Sequence, residues 1–195
     1  MSTLIHSNGI RKKSLALLCL IGTFTTANAQ LYKNKAEAGI ISFFSKAPLE
    51  DIDATNKKAT IVLKTTTNEI QFGVAMLSFK FPKPLMEEHF NENYVESEKY
   101  PTATFKGKIS ETIDYTKDGE YKVTVKGTMD MHGVAKEIEV PGTLSIKGTN
   151  IMINANFKIK VADYKIKVPS MYVQNIAEEV DVKVIGTLEP FTIKK

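Results

Sequence analysis

Cysteine is almost absent from this sequence, which limits what can hold the fold together. The single cysteine among the 195 residues, Cys19, lies in a short apolar run between Arg11-Lys12-Lys13 and Ala27-Asn28-Ala29. A basic start, a short apolar stretch and an Ala-x-Ala end are typical of an export signal cleaved after Ala29. Residues 30–195 then contain no thiol, which excludes disulfides and thiolate metal sites and leaves a hydrophobic core to stabilise the protein.

Long hydrophobic runs are also missing. A helix that spans a bilayer needs about 20 consecutive apolar residues, and the apolar run near the N-terminus, residues 15–21, is shorter. We therefore predict no stable membrane span and a periplasmic or secreted protein. Residues 30–195 are predicted to form a single domain, because a chain of about 150 residues can bury about 70% of its unfolded surface.

Excess charge of one sign is absent once the export signal is removed. Residues 1–29 carry three of the 26 Lys and Arg residues and none of the 22 Asp and Glu residues, so the remainder holds 23 basic against 22 acidic residues. A nearly neutral chain gives no electrostatic reason to bind nucleic acid or an anionic membrane. We predict no nucleic-acid partner.

Catalytic and metal-binding motifs are scarce. The sequence has no Gly-x-Ser-x-Gly, no phosphate-binding glycine loop and no His-Glu-x-x-His. After the export signal it has only two histidines, His89 and His132, which is too few for a zinc site without cysteines. We predict no metal, no cofactor and no catalytic residue, so the protein is predicted not to be an enzyme. An enzyme that uses His132 as a base stays an alternative.

Alternation with period two is the main feature that is present. Between Ile151 and Val161, apolar residues occupy every odd position and polar residues or Met152 every even one. A strand with one buried face produces this alternation, whereas a helix would spread both sets around its circumference. Further strands are predicted at 39–44, 60–66, 69–81, 103–109, 120–131, 134–140, 143–147 and 179–184.

Turn signals and one helical segment separate these strands. Gly-containing turns are predicted at 117–119, 132–133, 141–142 and 147–150, and a break in alternation near Ala75 predicts a bulge or turn. Residues 84–94 read as a short helix that starts at Pro84. We predict an all-β fold: a closed or nearly closed antiparallel barrel of about eight strands with one short helix.

Small residues on the inward faces leave two alternatives open for the barrel interior. They either leave room for a ligand or accommodate large neighbours across a filled core. The small residues concerned are Ala103, Gly107, Gly127, Ala155 and Gly186.

Three stretches carry a resemblance to a known family. Residues 79–107 combine a strand, a short helix and Tyr100-Pro101 before Phe105, residues 127–136 contain His132-Gly133, and residues 43–52 follow a strand with a loop. In this order they resemble the YceI-like family, including its secreted bacterial members. The resemblance implies a lipocalin-like barrel around an elongated apolar channel for a polyisoprenoid chain, such as a prenyl phosphate or a quinone tail. Residues 161–166 depart from the family because they lack its Arg and Gly.

The function predicted from pattern and resemblance together is binding. The barrel interior would carry or sequester a long apolar lipid without chemistry, with a ligand-free structural or adhesion barrel as another alternative. The expected partner is a small apolar lipid, and a homodimer is among the expected assemblies. Candidates for head-group contact are His132, Tyr164 and Lys165. Candidates for the apolar lining are Phe72, Phe79, Met86, Phe90, Phe105, Tyr121, Val123, Met129, Phe157 and Ile159, with Met86 and Phe90 as a lid.

Overall fold

A computed structural model describes residues 31–46, 51–167 and 178–192; the predicted export signal lies outside the described residues. The described residues form nine strands, one α-helix that continues as a π-helical turn, and two 3-10 turns. They are β1 (Leu31–Ser45), β2 (Ile52–Asn56), β3 (Thr60–Lys64), β4 (Glu69–Ala75), a 3-10 turn (Met76–Ser78), α1 (Pro84–His89), the π turn (Phe90–Tyr94), β5 (Thr102–Ile109), β6 (Gly119–Met131), β7 (Val134–Lys147), β8 (Asn150–Lys160), a 3-10 turn (Val161–Tyr164) and β9 (Glu179–Phe191).

The strands form a closed antiparallel barrel. Each pairs with its neighbours in the order β3 to β9, and β1 pairs with β9 on one edge and with β2 and β3 on the other. β2 pairs with the C-terminal part of β1, and β3 pairs with its N-terminal end. The two short strands therefore act together as one interrupted strand of the barrel. The predicted all-β barrel of about eight strands with a short helix is confirmed.

A buried asparagine bridges the interruption between β2 and β3. The side-chain amide of Asn34 donates to the carbonyl of Ala59 at 2.9 Å, and its Oδ1 accepts from the backbone N–H of Ile61 at 2.6 Å. In the same region β1 shifts its register against β9 between Asn34 and Gly39. The side chain therefore satisfies backbone groups that the broken ladder leaves without partners.

One end of the barrel, which we call the closed end, is filled by side chains. The β3–β4 and β7–β8 turns and the 110–118 loop lie there, and Tyr115 of this loop donates a hydrogen bond to Asn68 Oδ1 at 3.0 Å. Burial raises the pKa of Tyr115 to about 12. Interior packing seals this end, because seven large aliphatic side chains have almost no exposed surface: Ile61, Leu63, Ile70, Ile109, Leu144, Ile151 and Leu188.

Two expectations about local structure have different outcomes. The break predicted near Ala75 is confirmed, since β4 ends there and the 3-10 turn follows. The turn predicted at Pro141-Gly142 is wrong, because β7 runs without interruption through both residues. Pro141 pairs with Thr124 of β6, but pairing with β8 begins only at Gly142. The proline therefore lies at the edge of a ladder, where strands tolerate it.

The small inward-facing residues divide into two groups. Ala103 and Ala155 lie on the wall of the internal cavity. At Gly107, Gly127 and Gly186, a Cβ atom would come within 2.8 Å of an atom already present: ring and methyl carbons at Gly107, β5 backbone at Gly127 and an isoleucine methyl at Gly186. The three glycines therefore allow close packing, and the two alternatives raised by the sequence apply to different positions.

Candidate ligand cavity

The opposite half of the barrel, which we call the open half, encloses a cavity of about 520 Å³. This volume lies within the range of about 300–1,000 Å³ that is typical of small-molecule sites. The floor is the upper layer of the closed-end core, with Ile70, Ile109 and Leu144 on both the core and the cavity wall. The cavity therefore begins where the packed interior ends.

Strand register builds the lower wall from small and β-branched residues. Val123 of β6 pairs with Gly142 of β7, Gly142 pairs with Ala155 of β8, and Ala155 pairs with Val184 of β9. All four residues line the cavity. Gly142 and Ala155 are neighbours without a large side chain, so they leave space in the lower part of the cavity. Larger residues at these positions would extend the packed core into that space.

Four phenylalanines pack together at the upper end of the cavity. Phe43 of β1 has its ring centroid 5.5 Å from those of Phe79 and Phe90, and the rings of Phe81 and Phe90 are 5.0 Å apart. All four line the cavity. Aromatic pairs at these distances attract each other beyond simple burial. The cluster thus joins β1, the segment after β4 and the helical segment into one apolar surface.

Polar contacts hold the helical segment against the residues that precede it and brace it internally. Lys80 forms an ion pair with Glu87 of α1, and the Glu87 carboxylate also accepts a hydrogen bond from the backbone N–H of Phe81. The hydrogen bond from Lys80 lowers the pKa of Glu87. The pair therefore stabilises the fold at neutral pH, and its contribution is lost as the pH falls through the lowered pKa. At the far end, the side chain of Asn91 donates to the carbonyl of Glu87 at 2.8 Å.

The cavity wall is apolar almost throughout. Among the described residues that line it, four carry a hydroxyl group and two carry a nitrogen side chain: Ser45, Tyr94, Thr104, Thr143, Lys83 and His89. Lys83 caps the N-terminus of α1, and His89 is the last residue of this helix. A site with this lining can solvate a hydrocarbon chain and offers few groups that could take part in chemistry.

Nine of the ten residues predicted to form the apolar lining lie on the cavity wall. Tyr121 does not. It lies near the start of β6 at the closed end, where its hydroxyl donates to the carbonyl of Lys117 at 3.2 Å. The nine on the wall are Phe72, Phe79, Met86, Phe90, Phe105, Val123, Met129, Phe157 and Ile159.

Several wall residues were missed by the sequence reasoning. Ile41 and Phe43 lie on the inner face of β1, and Phe81 follows the strand region of β4. Ile41 and Phe43 alternate with Ser42 and Phe44, so the period-two pattern could have identified them. The signal is weak because Phe44, on the outer face, is as apolar as its inward neighbour.

The three residues predicted to meet a head group do not line the cavity. His132 and Gly133 form the two-residue β6–β7 turn with positive φ angles of 53° and 70°. The His132 ring lies 4.3 Å from the ring of Tyr100, with Nδ1 2.9 Å from the carbonyl of Tyr164 and Nε2 3.0 Å from the Glu96 carboxylate. These contacts give His132 a structural role at the turn. Lys165 is exposed.

Replacing His132 by asparagine should separate this structural role from binding. Asparagine tolerates the positive φ angle, so the variant removes mainly the two ring hydrogen bonds. We expect the free energy of unfolding to fall by about 1–3 kcal/mol, measured by urea denaturation, with unchanged uptake of a prenyl alcohol. Lost uptake at unchanged stability would contradict this assignment and place the ring in the binding site.

Tyr164 is buried with only 2% of its surface exposed, and its hydroxyl has no hydrogen-bond partner among the described residues. Burial is the main cause that raises the pKa of this hydroxyl. An unsatisfied buried hydroxyl destabilises a fold. We therefore expect Tyr164→Phe to raise the free energy of unfolding by about 1 kcal/mol.

Tyr115→Phe is the matched control, because the Tyr115 hydroxyl has a partner in Asn68. We expect this variant to lose about 1 kcal/mol of stability in the same urea titration. Equal losses for the two variants would mean that the Tyr164 hydroxyl does form a hydrogen bond.

The described ranges also lack two other kinds of feature. They contain no group of three or more His, Cys, Asp or Glu residues placed to hold a metal ion. Nor does any helix within them have the length and apolar character required to cross a bilayer.

Comparison with known proteins finds one family and several structures. The model of the YceI-like domain family matches residues 22–188. A polyisoprenoid binding domain from Saccharophagus degradans, described as implicated in plant cell wall breakdown, is 20% identical with a TM-score of 0.70; the match covers 82% of this chain and 98% of that one. Comparison with curated proteins gives no match.

Two other solved structures share the architecture. BcnA from Burkholderia cenocepacia is 19% identical with a TM-score of 0.66, and the match covers 80% of this chain and 98% of that chain. A YceI protein from Campylobacter jejuni is 17% identical with a TM-score of 0.60, covering 76% and 90%. At these identities the likeness is one of fold.

Proposed function

Because the chain belongs to the YceI-like domain family, we propose that it binds a long apolar lipid inside the barrel and carries or sequesters it without chemistry. The observation that carries the proposal is the cavity of about 520 Å³ with its almost wholly apolar wall. An isoprenoid chain, as in a prenyl phosphate or a quinone, is the proposed ligand. The polyisoprenoid binding of the Saccharophagus degradans domain supports this choice.

Apolar burial supplies the free energy in this proposal. Each methylene group moved from water to an apolar wall contributes about 0.8 kcal/mol, so a chain of a few isoprene units offsets the cost of association. Methionine side chains at Met86, Met129 and Met131 add flexible thioethers to the wall, which suits a surface that must adapt to a bound chain.

The polar end of the ligand is proposed to lie near α1. Lys83 and His89 line the cavity. They lie at the two ends of α1, in the helical segment that packs with the phenylalanine cluster at the upper end of the cavity. A cation and an imidazole suit a phosphate or a quinone oxygen. They replace His132, Tyr164 and Lys165 as the proposed head-group contacts.

The two alternatives have less support. An enzyme that uses His132 would need this ring in the cavity, whereas the ring contacts the Tyr164 carbonyl and the Glu96 carboxylate. A purely structural barrel would be expected to have a filled core, whereas the open half of this one encloses a cavity. The export signal predicted for residues 1–29 favours a periplasmic or secreted carrier.

Native mass spectrometry of the protein purified from a periplasmic fraction, followed by organic extraction, tests the proposal. We expect a discrete added mass that is released as an isoprenoid or another long-chain lipid. A bare protein that also fails to take up an isoprenoid quinone or a prenyl phosphate would contradict the proposal and favour a barrel that acts through its outer surface.

A further inference from the structure

The cavity has a definite depth that follows from the strands that line it. On β6 its wall extends from Val123 to Met131, and a second stretch extends from Ile153 of β8 to Val161, the first residue of the turn that follows; each spans eight residue-to-residue steps. A strand rises about 3.3 Å per residue, and strands in such barrels tilt by about 35–45° from the axis. Two strands therefore give the same depth along the barrel axis, about 20 Å.

This depth corresponds to a chain of limited length. A fully extended peptide advances about 3.3–3.6 Å for every three backbone bonds, or about 1.2 Å per bond. An isoprene unit adds four main-chain bonds and hence just under about 5 Å at this rate. About four isoprene units thus reach from the mouth of the cavity to its floor.

The volume leads to the same length by a separate route. An apolar cavity of about 150 Å³ holds benzene, which corresponds to about 25 Å³ for each carbon. At this ratio the cavity of about 520 Å³ holds about 20 carbons, which again is about four isoprene units. Depth and volume would disagree if the cavity were wide enough for two chains or for one folded back on itself.

The floor that sets this limit is a packed one. Leu144 and Ile70 are 1% exposed, Ile109 is 2% exposed, and below them lie Leu63, with no exposed surface, and the other closed-end side chains. A chain that reaches this layer cannot advance without displacing large aliphatic side chains, and interiors packed at this density resist such a change.

We infer that the barrel measures chain length: it encloses the first four isoprene units of an apolar chain and leaves any further units outside. The inference rests on the proposed function, and it specifies the ligand as a tail of about 20 carbons in a single extended strand. Longer chains still bind, but the units beyond the fourth stay in solvent and add little to the affinity.

Binding of trans-prenyl alcohols with three, four, five and six isoprene units to the lipid-free protein tests the inference. Displacement of a fluorescent fatty acid gives their relative affinities. We expect an affinity gain of at least about tenfold from three to four units, because five more carbons are buried. From four to six units we expect a change of less than about threefold, because the added carbons stay in water.

A variant with a shallower cavity should shift this limit. Ala155 lies at the level of Val123 and Gly142 near the floor, so Ala155→Phe should remove the gain between three and four units. Ala135→Phe is the matched control on an exposed position of β7 and should keep it. If Ala155→Phe does not unfold in a cooperative thermal transition, Val123→Leu is the alternative variant. It adds one carbon to the cavity wall near the floor and should reduce the gain in affinity between three and four units.

Three results would overturn the inference. A rise in affinity that continues at the same factor through six units would contradict the length limit but leave the proposed function standing. An unchanged gain in a folded Ala155→Phe would show that the floor does not set the limit. No binding of any alcohol would contradict both the inference and the proposed function.

Discussion

Replacing Phe157 by aspartate is expected to abolish binding of a prenyl chain while the barrel stays folded. Phe157 is half-buried on the cavity wall, and it lies on β8 above the packed floor. A carboxylate at this position would lose its water when an apolar chain enters, and burying an unpaired charge costs several kcal/mol. We expect at least about a hundredfold loss of affinity, which is nearly 3 kcal/mol, in the fluorescent displacement assay.

Phe44→Asp provides the matched control. Phe44 is 38% exposed on β1 and does not line the cavity, so the same change of side chain there should leave binding within about twofold of wild type. Lowering the pH gives a second check, because an apolar wall raises the pKa of an aspartate and protonation should restore part of the binding to Phe157→Asp. A folded Phe157→Asp that binds normally would show that the ligand does not occupy the cavity.

Replacing Gly127 by alanine is expected to destabilise the whole barrel. A Cβ atom there would lie 2.3 Å from the carbonyl oxygen of Lys106 and 2.4 Å from the Cα of Gly107. Both are backbone atoms of the paired strand β5, so the clash can be relieved only by moving one strand away from the other. We expect a loss of about 1–3 kcal/mol, measured by the urea midpoint, and a melting temperature lower by several degrees.

Gly73→Ala tests whether this effect is specific. Gly73 lies in β4, and a Cβ atom there would meet nothing within 4 Å. Alanine restricts the unfolded chain more than glycine does, so this variant should be as stable as wild type or more stable by about 0.5–1 kcal/mol. Equal urea midpoints for the two variants would mean that β5 and β6 can separate without cost.

Much of the fold could be predicted because burial in this barrel is one-sided. On β8 the predicted inward set contains Ile151, Ile153, Ala155 and Ile159, and all four are buried while their neighbours are exposed. One-sided burial makes the sequence alternate, and alternation identifies both the strand and its inner face. The same logic identified six of the nine lining candidates that lie on the cavity wall, those on strands: Phe72, Phe105, Val123, Met129, Phe157 and Ile159.

The rest could not be predicted because alternation reports the face of a strand and nothing about depth or partners. Tyr121 lies on the same face as Val123 but nearer the closed end, and only the register of the whole sheet distinguishes the two. The first half of β1 was missed because Asn34, a polar residue, faces inward where the register shifts. The structural contacts of His132 could not be predicted because the carbonyl that its ring meets, that of Tyr164, is distant in the sequence.

The pairing of β1 with β9 constrains how the protein acquires its ligand. Phe43 is the register partner of Val182, so the first and last described strands must meet before the barrel exists. Contacts between such distant parts of a chain form slowly, and they cannot form until the chain is complete. A nascent or translocating chain would have apolar inner faces but no enclosed compartment. If the protein binds a lipid as proposed, loading therefore follows folding, and the lipid that is captured is one available in the compartment where the barrel closes.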